Sequence, residues 1–406
     1  MTRRIGLVLP GGGARAAYEV GVVHYIVHQV ARELGRDVPI DVVCGTSAGA
    51  INACSLAAYA DEPKRRAVRL AEHWRALRID HVLRPDASEI VGMGLGMVGL
   101  TKRARSGGVV DVAGLRRLLE SAIAFERIGD MLKAGHVSAV SLSTTNVGSG
   151  NNVVFVQRRE RSTLRWDESS GAEARSTTLR LEHALASAAI PFLFPAVQID
   201  GQLYCDGALR QNVPLSPARR LGADVLIVVS PHHLGLAEPE TVTRARENEY
   251  SDPKYLLGKT LNALLLDRLD GDLDRLDRVN QILAAGAREY GAGFLPALNR
   301  QLAENGRTHL RPVESLVIRP SQNVSLLAAD FLRSSTFLRA RPIGARIFRR
   351  LVDGVAEADL ASYLLFDGAF AAQLIELGQS DARARHAELA AIFERALAAE
   401  DCGRVA

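Results

Sequence analysis

Val38-Pro-Ile-Asp-Val-Val-Cys44 runs directly into Gly45-Thr-Ser-Ala-Gly49 and then into an alanine-rich stretch that reaches about Tyr59. The first segment reads as a buried strand, because both faces of a covered sheet demand apolar residues, and the last as a helix. A serine on a tight strand-to-helix turn sits on strained backbone against a close-packed helix, so only small neighbours fit beside it. Such a turn lifts the Ser47 hydroxyl to the carboxyl end of the sheet and aims the next N–H, that of Ala48, where an oxyanion would form. The alternative is an ordinary glycine-rich turn. The placement after a strand and before a helix favours the nucleophile.

The same alternation continues on both sides. Ile5–Leu9 is a short apolar run broken by Pro10-Gly-Gly-Gly13, and Ala16–Gly35 carries apolar residues at helical spacing closed by glycine. Val137–Ser143, Val153–Val156 and Val225–Val229 read as further strands, and Val197–Tyr204 as a hairpin turning at Asp200-Gly201. Strands alternating with amphipathic helices predict an α/β layer architecture with a largely parallel sheet. The pattern stops near Ser230. Residues 231–260 read as a polar connection, and 261–406 as a mainly helical region with Leu265, Leu269, Leu273 and Leu276 on one face.

Gly11-Gly-Gly-Ala-Arg15 is a second glycine-rich turn between a strand and a helix. Successive N–H groups at a helix N-terminus bind anions. Two uses compete for it: an oxyanion loop facing Ser47 through Gly12 and Gly13, or a dinucleotide fingerprint spelled Gly11-x-Gly13-x-x-Ala16. The fingerprint wants an acid at the end of the second strand, and that place is taken by the serine turn.

A serine nucleophile needs a base. Of the ten histidines, only His232 and His233 follow a strand in a loop suited to a Ser–Asp–His order, and neither stands out. A carboxylate is the other choice. Asp206-Gly-Ala208 follows the hairpin, and Gly207 frees Asp206 to point sideways, whereas Asp367-Gly-Ala369 reads as a turn at a helix end.

Composition narrows the field. The chain has 406 residues, 47% hydrophobic and 24% charged, with a net charge of +4, as in an ordinary globular enzyme. The cations are mostly arginine spread along the chain, so no basic face marks a nucleic-acid partner. No apolar run is long enough to span a bilayer. Cys44, Cys54, Cys205 and Cys402 lack metal-ligand spacing, and Cys44 reads as a reduced core thiol. Asp270, Asp272 and Asp274 imitate a calcium loop, but Arg275 stands where that loop needs glycine, leaving a solvated helix face and no metal site. The N-terminal apolar run ends after Leu9 without a cleavage pattern, which points to a mature start in the cytoplasm.

Gly11-Gly-Gly-Ala-Arg15, Gly45-Thr-Ser-Ala-Gly49 and Asp206-Gly-Ala208 resemble, in order and spacing, the motifs of the patatin-like phospholipases. Ser187-Ala-Ala-Ile-Pro-Phe-Leu-Phe-Pro195, Asn212-Val-Pro214 and Leu221-Gly-Ala-Asp224 are similar to flanking blocks of that family. The likeness covers about residues 5–230, within an expected catalytic domain of residues 1–230. It implies a three-layer α/β/α fold and a lipid acyl hydrolase without a catalytic histidine or a cofactor. Ser47 is then the nucleophile, Asp206 the base, and Gly11, Gly12, Gly13, Arg15 and Ala48 the oxyanion hole. Ala208 departs mildly from the family, where glycine is also common. The mechanism calls for a partly desolvated Asp206, since a carboxylate is a weak base at neutral pH.

Glu89–Leu100, apolar and glycine-rich, meets Thr101-Lys-Arg-Ala-Arg105. It is a candidate for peripheral contact with a lipid membrane or for covering an acyl groove, against the alternative of a buried connection. Two rival functions stay open: a lipid-binding regulatory module with little turnover, and a triad esterase using His232 or His233.

Overall fold

The computed structural model describes residues 3–85, 108–159, 166, 172–233, 256, 259, 269–334, 337 and 359–405. The apolar, cation-flanked stretch 89–105 lies outside them. Nine strands form one sheet: β1 (Ile5–Leu9), β2 (Val42–Thr46), β3 (Ala139–Asn146), β4 (Asn152–Arg158), β5 (Ala172–Ser176), β6 (Val197–Ile199), β7 (Gln202–Asp206), β8 (Val225–Val229) and β9 (Glu314–Ile318). Their spatial order is β9-β8-β1-β2-β3-β4-β5, with β7 pairing both β3 and β6. Pairs β9/β8, β8/β1, β1/β2 and β2/β3 are parallel, and β3/β4 is antiparallel.

Alternation along the central strands explains the three layers. Leu7, Leu9, Val43, Ile227 and Val229 face one core with helices Ala17–Tyr25, Ala48–Ala58 and Gly368–Ala384. Val8, Val42, Cys44, Leu226 and Val228 face another, with Leu215, Ala218 and Leu269 from helices on the opposite side. Both faces are dry, which is why the strands read as continuous apolar runs. Cys44 is fully buried, and burial pushes its thiol up to about 12, leaving it protonated and unreactive.

Three differences from the sequence reading have plain causes. β2 begins at Val42, not Val38, since Pro39 has no N–H for a ladder. β5, Ala-Glu-Ala-Arg-Ser, is an exposed edge strand with no apolar run to betray it. The C-terminal region is mainly helical but supplies β9, parallel to β8, and the helix Gly368–Ala384 that packs on Ala17–Tyr25. Helices Ala17–Tyr25 and Gly368–Ala384 meet backbone to backbone: a Cβ on Gly21 would lie 2.1 Å from the Ile375 carbonyl oxygen, and one on Gly378 2.3 Å from that of Tyr18. Asp270, Asp272 and Asp274 lie on the helix Leu269–Tyr290, and Asp367 caps Gly368–Ala384 by accepting the Ala369 N–H.

Candidate active site

Ser47 lies between β2 and the helix Ala48–Ala58 with φ 55° and ψ −128°, a conformation few non-glycine residues adopt. The turn closes tightly enough that a Cβ on Gly49 would stand 2.2 Å from the Leu9 carbonyl oxygen. The backbone strain is held by Ser187, whose hydroxyl accepts the Ser47 N–H at 2.9 Å and donates to the Ser143 carbonyl at 2.6 Å. Sequence reasoning quoted the Ser187 block without giving this residue a role, because its partners are set by β3 and by no local pattern. Ser187→Ala leaves a buried N–H unpaired, and we expect about 1–3 kcal/mol of lost stability. Thermal unfolding, read beside the rate of acyl-ester hydrolysis, checks it.

Ser47 and Asp206 are 159 residues apart in the chain, and strand register brings them together. On one edge of β3, Ser143 pairs with Thr46 of β2, and the next residue, Thr144, pairs with Asp206 of β7. The Ser47 hydroxyl donates to Asp206 Oδ2 at 2.6 Å. Asp206 Oδ1 accepts the Ala208 N–H at 2.8 Å, so Ala208 fills the motif's third position without loss of that contact. Asp206 is only 1% exposed. Burial pushes its carboxyl up to about 7, against the downward pull of the Ser47 and Ala208 hydrogen bonds. The desolvation that the mechanism calls for is therefore nearly complete.

The glycine loop lies beside this pair, since a Cβ on Gly11 would come within 2.9 Å of the Ser47 Cβ. The five residues expected as an oxyanion hole separate into two groups. Gly11 donates its N–H to Asn212 Oδ1 at 2.8 Å, and Arg15 donates its own to the Gly12 carbonyl at 3.1 Å, so both N–H groups already have protein acceptors. The Arg15 guanidinium turns towards Ser325, Asp359 and Ser362. Gly12, Gly13 and Ala48 keep N–H groups without a protein acceptor among the described residues. Gly13 has φ 54° and abuts the Tyr363 carbonyl, where a Cβ would lie 2.3 Å away.

A narrow cavity of about 80 Å³, partly open to solvent, has Gly13, Ser47 and Ala48 in its wall. Ile51, Leu70, Trp74, Leu119, Phe194 and Phe366 make it strongly apolar. Trp74 turns its polar edge outward, donating to Asn52 Oδ1 at 2.9 Å, and Asn52 in turn donates to buried Glu19. His73 also lines it, and burial, helped by Arg69, lowers the imidazole below its ordinary value, so it stays neutral. Nothing local in the sequence marks these residues as one wall.

Of the histidines considered as a base, His233 turns Nδ1 to the Pro320 carbonyl oxygen at 2.8 Å, while the backbone N–H of His232 donates to the Ser230 hydroxyl at 3.3 Å. Among the described residues no group of three or more His, Cys, Asp and Glu is arranged to hold a metal, and no helix is long and apolar enough to cross a membrane.

Comparison with known proteins adds the following. A family model described as patatin-like phospholipase matches residues 7–219, just over half of the chain. Over 79 residues the chain is 40% identical to lysophospholipase nte1 of Aspergillus terreus, a stretch that makes up 18% of the chain and 5% of that protein. The chain therefore spans only a small part of this relative. Among solved structures, human GIVD cytosolic phospholipase A2 in complex with methyl gamma-linolenyl fluorophosphonate is 14% identical at a TM-score of 0.41, covering 98% of this chain and 60% of that one. VipD from Legionella pneumophila is 13% identical at a TM-score of 0.30, covering 92% and 67%.

Proposed function

The chain belongs to the patatin-like phospholipase family, and from that premise we propose that it hydrolyses fatty acyl esters of lipids through a Ser47–Asp206 dyad. The observation that carries this reading is the 2.6 Å hydrogen bond between a strained, buried Ser47 and a carboxylate with no charged partner among the described residues. Asp206 takes the Ser47 proton as Oγ attacks the ester carbonyl, and the carbonyl π electrons move to oxygen. The N–H groups of Gly12, Gly13 and Ala48 receive that oxyanion, each donor contributing on the order of 10²–10³ in rate. The tetrahedral centre collapses, the C–O bond breaks, and the alcohol leaves with the proton from Asp206. Water then attacks the acyl-enzyme, giving its proton to Asp206, and the Ser47 oxygen regains it as the fatty acid departs.

The apolar cavity suits the acyl chain, and its neutral walls favour a hydrocarbon over a headgroup. Contact with a membrane surface through 89–105 belongs to the same reading, as does a cytoplasmic site of action. The defining experiment is fatty acid release from phospholipid, lysophospholipid and neutral lipid, together with mapping of a fluorophosphonate probe. Label on Ser47 with release from any of these supports the reading. Lipid binding with neither label nor release favours the regulatory-module alternative. The cavity makes a further prediction: Leu119→Trp fills the acyl end and should raise the preference for short over long p-nitrophenyl esters roughly tenfold, read as a ratio of kcat/KM values.

A further inference from the structure

The glycine loop does not hold its own shape. Gly13 is pressed against the Tyr363 carbonyl, and a Cβ on Gly12 would lie 2.9 Å from Pro231. Two residues on, Arg15 is 3% exposed and reaches out of the family-matched segment altogether. Its Nε donates to Ser362 Oγ at 2.8 Å, and its Nη2 to Ser325 Oγ at 2.9 Å and Asp359 Oδ1 at 3.2 Å. The guanidinium also stands 4.0 Å over the Tyr363 ring. Asp359 gathers these partners, accepting the Ser325 hydroxyl at Oδ1 and the Ser362 hydroxyl at its carbonyl, with Lys259 Nζ 2.8 Å from Oδ2. Burial alone would raise the Asp359 carboxyl, but Arg15 and Lys259 hold it below its ordinary value, so it stays charged.

A buried guanidinium with bonds in several directions fixes the backbone that carries it, and here that backbone continues the glycine loop that lies beside Ser47. We propose that Asp359 is a positioning residue for acyl transfer, holding the oxyanion loop in register with Ser47 through Arg15. This rests on the Ser47–Asp206 reading of the site. The segment after Asp359 serves the same centre a second time, since Phe366 lines the acyl cavity. Residues 359–366 are thereby part of the catalytic unit, although the family match ends at residue 219.

The test compares Ser362→Ala, Arg15→Lys and Asp359→Asn with the wild-type full chain. Two readouts are taken: amide hydrogen exchange of the peptide over residues 5–18, and kcat separately from KM on one lipid ester. Loop exchange should rise about tenfold in each variant while the β2 peptide stays unchanged. kcat should fall about tenfold in Ser362→Ala and on the order of 10²-fold in the other two, with KM within about threefold, because a displaced oxyanion donor affects the transition state more than binding. Ser362→Ala loses two hydrogen bonds, from Arg15 Nε and to the Asp359 carbonyl, but keeps the ion pair, so with Arg15→Lys it decides the matter if Asp359→Asn fails to fold. Wild-type exchange in folded Ser362→Ala and Arg15→Lys overturns the proposal, as does a change confined to KM. Raised loop exchange in a protein whose wild type neither hydrolyses esters nor labels at Ser47 leaves the anchor standing and overturns the dyad.

Discussion

Ser47→Ala should abolish ester hydrolysis, a loss of roughly 10⁵–10⁶ in kcat, and remove all fluorophosphonate label from the peptide carrying the turn. The size follows from the chemistry: without Oγ no acyl-enzyme forms, and only the oxyanion donors and binding remain. The fold should survive. Alanine meets the same positive-φ strain that serine already bears, and among the described residues the hydroxyl's partner is Asp206 alone. Losing that bond removes one of the two hydrogen bonds that pull the Asp206 carboxyl down, so its affinity for a proton rises further. Active-site labelling beside a thermal unfolding curve checks both parts. Unchanged hydrolysis by a folded Ser47→Ala protein would remove the serine mechanism entirely.

Asp206→Asn should lower kcat by roughly 10²–10⁴, the worth of a general base, while making the protein more stable in alkaline solution. The pH behaviour carries the sign. A base acts when ionised, so wild-type kcat/KM should rise with pH through an acid limb near 7, the value to which burial pushes Asp206. Because the folded carboxyl binds its proton more tightly than the unfolded one, its contribution to stability is complete below about pH 4, the ordinary aspartate range, and is lost as pH rises through about 7. Above pH 7 the native protein thus carries a buried charge that costs on the order of a few kcal/mol, and asparagine removes that cost. Denaturant titrations of both proteins at pH 5 and pH 8.5 test this: the variant's advantage should appear at the higher pH. A wild-type rate profile flat down to pH 4 would be incompatible with Asp206 as the base.

The sequence declares what is local. Turn chemistry exposes Ser47 and Asp206, because a strained nucleophile needs small neighbours and a freed carboxylate needs the following glycine. Buried parallel strands announce themselves as apolar runs, and so β1 and β8 could be read to the residue, whereas the polar edge strand β5 could not. The site's supports are legible only in three dimensions. Asn212 occupies the Gly11 N–H from 201 residues away, and Asp359 meets Arg15 across 344, separations at which no spacing rule operates. Of the five residues expected in the oxyanion hole, Gly12, Gly13 and Ala48 keep N–H groups without a protein acceptor among the described residues. Asp367 shows the converse: an Asp-Gly-Ala copy that caps a helix, told apart from Asp206 only by what surrounds it.

The placing of Thr46 and Asp206 opposite adjacent residues of β3 has a mechanical consequence. Ser47, one residue after Thr46, and Asp206 are held against a single strand, so a twist or flexing of the sheet carries them as one body and preserves the distance between them. The glycine loop is moored elsewhere, to β1, to Asn212 and to the segment around Asp359. If Ser47 and Asp206 carry the chemistry as proposed, warming should loosen those moorings before it parts two neighbours on a central strand, and turnover is expected to fade before the fold melts.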